Sequence, residues 1–218
     1  MSSQTDKLNS NVFINCPFDP DFFEVFRAII FTVKACGFVP QTALDTSDSG
    51  QTRISKIADL IDQGDRGIHD LSAVALDAAT SMPRFNMPLE LGISLGLKLK
   101  GTKRQQRKRM LILDADKHRY DKSTSDISGQ DISSHSGKPE KAITCVRDWL
   151  AQDRDTQLPP LPGGDALKSD YEKVRKLIDG MISEHRLDPW DKLAHPDFLR
   201  ALDAGLSILA TPPEDEEK

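Results

Sequence analysis

Short apolar runs alternate with stretches of helical apolar spacing through the first half of this chain, and that alternation fixes the class of fold open to it. Residues 11–18 (NVFINCPF) open with Val12 to Ile14, an apolar run too short for a helix and closed by Asn15, which reads as a buried strand. Asp19, Pro20 and Asp21 then mark a helix start, and Phe22, Phe23, Phe26, Ile29, Ile30 and Val33 recur at helical spacing until Gly37. The pattern continues with a strand over 38–44, a polar turn over 45–50 and an amphipathic helix over 53–63 carrying Ile54, Ile57, Leu60 and Ile61 on one face. A strand over 67–71, a looser segment to Arg84, a helix over about 88–99 and a strand over 110–114 follow. The order βαβαβ, loop, αβ predicts an α/β domain whose parallel sheet is covered by helices on both faces. Such sheets hold ligands in the crevice at the carboxyl ends of their strands.

Beyond residue 114 the pattern weakens. Residues 115–140 lack helical apolar spacing and read as a lid, a binding loop or disorder; Asp126, Asp131 and His135 either belong to a solvated loop, the more ordinary reading, or close over a substrate. A last helix of the main domain is expected over 143–150, and 158–164 (LPPLPGG) reads as a linker. Two further helical patterns follow: Leu167, Tyr171, Val174, Leu177, Ile178 and Met181, then Phe198, Leu199, Leu202, Leu206 and Leu209. The expected organisation is an α/β domain over 11–150, a helical extension over 165–210 and an acidic, solvated tail over 211–218.

Charge narrows the function. Lys plus Arg total 29 and Asp plus Glu 34, a net charge of −5, which opposes a dedicated nucleic-acid binder. The basic run Lys98, Lys100, Lys103, Arg104, Arg107, Lys108 and Arg109 has no aromatics between its charges and reads as a solvated loop. No apolar run reaches the roughly 20 residues of a membrane helix, and the polar first ten residues lack a signal-peptide core. The expectation is a cytoplasmic protein without a membrane partner. Cys16, Cys36 and Cys145 have neither disulfide-framework nor metal spacing, and no histidine pattern suggests a metal.

Three segments hold the candidate chemistry. In 84–96, Pro88 suits a first helical position and Glu90 would lie in the first turn, where the positive end of the helix dipole keeps an acid ionised. A first-turn glutamate is equally an ordinary cap. Gly92 and Gly96, one turn apart, would let this helix approach the sheet closely. In 68–72, Asp70 stands where an acid orients a sugar hydroxyl in nucleotide folds, or where it and Ser72 simply turn the chain. His69 reads as a core histidine. In 15–19, Asn15 meets the crevice, Phe18 offers a ring to stack on a flat base or to staple the next helix, and Cys16 reads as a small buried apolar residue. The chain has no G-x-G-x-x-G, P-loop or G-x-S-x-G element.

Taken together, VFINCPFD (12–19), IHDLS (68–72) and FNMPLELGISLG (85–96) resemble the TIR-like and nucleoside 2-deoxyribosyltransferase-like proteins, over roughly 11–114. The last segment is similar to that group's N-x-x-x-E-L-G pattern with its catalytic glutamate. The residues before the glutamate are Arg84, Phe85, Asn86, Met87 and Pro88, where TIR domains carry Trp-Cys and deoxyribosyltransferases an acid with Gly-Thr. The resemblance implies a flavodoxin-like sheet and cleavage or transfer at an N-glycosidic bond. It places Glu90 as catalytic acid or nucleophile, with Asn15, Phe18, Asp19, Asp70, Ser72, Arg84 and Asn86 contacting substrate. NAD⁺ or a related nucleotide would be substrate, with no separate cofactor. It also implies a bacterial antiviral-defence effector that assembles with itself or a partner protein through the C-terminal helices. A nucleotide sensor without turnover and a deoxyribosyltransferase of nucleoside salvage are the alternatives.

Overall fold

In the computed structural model, residues 8–45, 50–74, 84–116, 130–152 and 157–211 are described. Five parallel strands, β1 (Asn11–Asn15), β2 (Val39–Thr42), β3 (Arg66–Asp70), β4 (Arg109–Asp114) and β5 (Ile132–Ser134), lie in the order β2-β1-β3-β4-β5. This is the flavodoxin-like order, and the chain reverses its direction of travel across the sheet between β1 and β3. In-register pairs such as Ile14 with Thr42 and Ile68, and Ile68 with Leu111, put the strand ends level.

Side chains alternate across the pleat, so β1 feeds two cores. Val12, Ile14 and Cys16 join the large core beneath α1 (Phe23–Ala35) and α4 (Pro139–Ala151). Phe13 packs instead against Ile57 and Ile61 of α2 (Arg53–Gln63). Met87 and Leu91 of α3 (Asn86–Lys100) pack with Leu71, Ile112 and Ile132. Both faces of the sheet are thus covered, as a parallel sheet requires.

Several boundaries differ from the sequence expectation. The stretch 115–140 is not all loop: β5 lies within it and α4 begins at Pro139. Only Ile132 of β5 is buried, and the strand pairs only with the carboxyl half of β4, so it leaves almost no apolar signal. Asp126 lies outside the described residues. The helix expected over 88–99 starts two residues earlier, and Pro88 fits at its third position because the first helical N–H groups have no intrahelical acceptor. Gly92 and Gly96 do not seat α3 on the sheet. Both are exposed, with nothing within 4 Å of an added Cβ, and Leu91 and Ser94 form the buried face instead.

The basic run is only partly solvated. Lys108 is buried and donates to the carbonyls of Ile61 at 2.5 Å, Asp62 at 3.2 Å and Gly64, neutralising the carboxyl end of α2. Arg104 pairs with Asp65 at 3.0 Å and caps Gln63 O at 2.7 Å.

The last two helices, α5 (Gly164–His185) and α6 (His195–Ala210), extend the large core with Leu167, Val174, Ile178, Phe198 and Leu202. Trp190, between them, is held between Arg27 of α1 and Arg175 of α5, whose guanidinium carbons lie 4.3 and 3.8 Å from its ring centroid. Its indole N–H donates to Glu24 at 2.5 Å, and Arg27 donates to the Trp190 and Leu193 carbonyls. The Pro-Gly linker is docked too: Arg147 donates to Pro162 O at 2.8 Å and Leu161 O at 3.0 Å. Among the described residues no helix is long and apolar enough to cross a membrane.

Because nothing touches the exposed side of α3 at its glycines, Gly92→Ala and Gly96→Ala are each expected to stabilise the chain by about 0.5–1 kcal/mol through backbone entropy. Urea unfolding checks this, and a loss of stability would show that a Cβ is not accommodated there.

Candidate active site

Each helix that returns from a strand's carboxyl end begins at that edge, so the amino ends of α1, α2 and α3 surround the opening above β1 and β3. Positive dipole ends therefore face the crevice from three directions.

Beneath the opening lies a buried polar floor. Asn15 is 2% exposed, and its side-chain amide donates to Met87 O at 2.9 Å and to His69 Nδ1 at 3.1 Å. It pins the first turn of α3 to the end of β1 instead of facing a substrate. With Nδ1 accepting, neutral His69 carries its proton on Nε2, which has no hydrogen-bond partner among the described residues and lies where a Cβ on Gly67 would fall, at 2.9 Å. Burial, with a smaller contribution from the Lys108 charge, pushes the His69 pKa down to about 3.

Asp70 and Ser72 are also enclosed, at 0% and 2% exposure. Asp70 Oδ1 accepts from the Ser72 amide at 2.9 Å, and Oδ2 accepts from the Cys16 thiol at 3.5 Å and lies 3.2 Å from His135 Nε2. Gly137 N–H donates to His135 Nδ1 at 3.0 Å, which places the imidazole proton on Nε2, between Asp70 and Ser72 Oγ, 3.0 Å away. Aspartate and serine meet the same ring nitrogen, so this is not the relay of a hydrolase triad, in which base and orienter use opposite nitrogens. His135, expected to close over substrate from a loop, is instead wholly buried and ties β5 to β3. Burial, then the Asp70 charge, raise the Cys16 thiol pKa well above normal, so it stays protonated.

The remaining candidates line the rim. Phe18 is half-buried, edge-on to Phe26 with centroids 5.2 Å apart. Asp19 and Arg84 form an ion pair at 2.5 Å, linking the β1–α1 connection to the approach of α3. Asn86 is exposed at the first position of α3.

Glu90 differs from all of these. It is the fifth residue of α3, past the first turn where the sequence placed it, and the helix start therefore does not hold it ionised. It is 5% exposed and has no hydrogen bond among the described residues. Burial pushes its pKa up to about 7, against the opposing field of Arg53. A buried carboxyl balanced between acid and carboxylate at neutral pH is a common property of catalytic groups. Arg53, at the start of α2, carries no signal of its own in the sequence. Its guanidinium carbon lies 6.0 Å from the Phe18 ring centroid, and its charge is the one that opposes the rise of the Glu90 pKa.

Comparison of the chain with protein-family models, curated proteins and solved structures gives no match.

The folded chain binds the Glu90 proton more tightly than the unfolded chain does. The associated stability is complete below the ordinary carboxyl pKa of 4.5 and is lost as pH rises through about 7. Glu90→Gln is therefore expected to unfold about 1–3 kcal/mol harder than wild type at pH 8 and nearly equally at pH 4. Thermal unfolding across that range checks the sign; a Gln variant weaker than wild type at pH 8 would contradict it.

Proposed function

We propose that this chain hydrolyses the N-glycosidic bond of NAD⁺ or a related nucleotide, with Glu90 as the catalytic carboxylate. The observation that carries the reading is Glu90 itself: a nearly buried carboxyl without a hydrogen-bond partner among the described residues, beside the switch point of a flavodoxin-like sheet. The resemblance of 12–19, 68–72 and 85–96 to TIR-like and deoxyribosyltransferase-like proteins supports the same chemistry. It also supports a role as an antiviral-defence effector.

As the bond from ribose C1′ to the base breaks, its electron pair leaves with the base and positive charge develops on the sugar. A carboxylate in a water-poor crevice stabilises that charge or bonds to C1′. Water then supplies hydroxide to C1′ and releases a proton. From NAD⁺ the products are nicotinamide, ADP-ribose and a proton. Nicotinamide leaves as a neutral molecule and needs no general acid. Phe18 on the rim would pack against the departing ring, while Asn15 and Met87 O keep the start of α3, and with it Glu90, at a fixed height above the strands.

The balance of Glu90 near pH 7 also suits a second reading, a transferase acting on nucleosides, in which the protonated form donates to the departing base. The pH profile separates the two. A carboxylate mechanism gives activity that rises about tenfold per pH unit below 7 and levels above it, whereas base protonation gives activity that falls above 7.

Purified chain is incubated with NAD⁺, ATP and deoxynucleosides, at low and high protein concentration, and released base is separated by chromatography. The expected result is free nicotinamide, reduced at least about 100-fold in Glu90→Gln. Release that is unchanged in that variant would sink the proposal.

A further inference from the structure

We infer that the outer face of α3 pairs with the same face of a second copy of this chain, antiparallel and about a two-fold axis near Gly92. The pairing makes no use of the Glu90 chemistry and holds or fails apart from it.

The outer face of α3 is apolar and uncharged. Phe85, which precedes the helix, and Leu89 and Leu99 within it are 66%, 56% and 68% exposed. With the exposed Gly92 and Gly96 they form one stripe, 85-89-92-96-99, whose steps of four and three are the spacing of a helix-packing seam. From Phe85 to Leu97 the one charged residue is Glu90, and it is buried. The exposed face of α5 is different: it carries Asp170 paired with Lys173 and Arg175 paired with Asp179. The other large apolar residues exposed among the described residues, Val39, Ile54, Leu158 and Ile208, stand singly on other segments. Such scattered residues are ordinary, whereas a contiguous stripe marks an interaction surface.

The stripe is complementary to itself when reversed. Turned end over end about Gly92, Phe85 meets the partner's Leu99, Leu89 meets the partner's Gly96, and Gly92 meets Gly92. Each leucine at 89 then lies opposite a position without a side chain, and the structure leaves that space free: nothing lies within 4 Å of a Cβ added at either glycine. Parallel pairing would set Leu89 against Leu89 and leave a gap along the glycines. Charge favours the same direction. At the amino end of α3, Arg84 is paired with Asp19, and Asp21 close by is exposed; at the carboxyl end Lys100 and Lys103 are exposed. Antiparallel pairing brings acid toward lysine and opposes the helix dipoles, whereas parallel pairing brings lysine onto lysine. The face is small. A helix of 15 residues is about 22 Å long and about 10 Å wide, so it covers well under the roughly 800 Å² that each partner buries in a stable complex. The dimer is therefore weak, with a Kd of about 10–500 µM.

Sedimentation velocity on the full chain, from about 5 µM to about 1 mM, reads the association. Wild type should pass from monomer toward dimer over that range. Leu89→Glu and Leu99→Glu should each weaken the dimer at least about tenfold, because either one places a charge in a seam that loses its water. Both leucines are exposed, so unfolding curves of these variants at the lowest concentration should match wild type and show that each folds. Direction is read with Phe85→Cys and Leu99→Cys, each combined with Cys145→Ser, and a short bis-maleimide. A mixture of the two variants should cross-link, and neither should cross-link alone. A dimer that ignores both glutamates, or Phe85→Cys that cross-links to itself, would overturn the inference. A chain that stays monomeric throughout would also overturn it and leave the stripe to a different protein.

Discussion

The carboxylate of Asp70 is the interaction on which the crevice depends. It lies at the end of the central strand, wholly buried, and gathers donors from three parts of the chain: the Cys16 thiol just past β1, the Ser72 amide beyond β3 and the His135 imidazole beyond β5. An enclosed carboxylate without such partners would cost several kcal/mol. With them it stitches the carboxyl edge of the sheet into a floor. Asn15 makes the corresponding connection on the opposite face, from β1 to the first turn of α3. The Asn15 amide thus ties the first turn of α3 to the end of β1, and α3 carries Glu90.

The C-terminal helices belong to the same mechanical unit. His195, at the start of α6, lies 2.8 Å from Asp45 Oδ1 and 3.2 Å from Thr42 Oγ1, at the end of β2, and stacks on Phe26. Burial raises the Asp45 pKa, but hydrogen bonds from His195 and Thr42 outweigh it and hold the carboxyl below its ordinary value. Phe26 in turn meets Phe18 on the rim. A continuous line of contacts thus runs from α6 through α1 to the crevice, and the Trp190 clamp between Arg27 and Arg175 fixes the segment that joins α5 to α6.

Much of this fold is legible in the sequence, because β1, α1, α2, β3, α3 and β4 each bury apolar residues at their own period. Glu90 was legible through its place in the FNMPLELG segment, although its environment was not. The helix starts two residues earlier than Pro88 suggested, and burial, not the helix dipole, governs the carboxyl. Asn15, Asp70 and Ser72 stand out in the sequence by their positions at strand ends, but position alone does not say whether a side chain rises into the crevice or turns under it. That depends on donors distant in sequence, His69, Met87 and His135. β5 leaves little signal because one isoleucine carries its burial, and Arg53 leaves none because an exposed cation at a helix start has no pattern of its own. In the sequence Lys108 is one more charge in a basic run; its role comes from the carboxyl end of α2, distant in sequence, that lies on it.

The central claim is that the crevice holds one nearly buried carboxyl balanced between its two protonation states at neutral pH. Titration of the glutamate side-chain carboxyls by ¹³C NMR, with Glu90→Gln to assign the resonance, tests it without assuming any substrate. The account requires the Glu90 signal to titrate near pH 7. A midpoint near the ordinary value of 4.5 would show a solvated carboxylate and contradict the account of this crevice as a catalytic site.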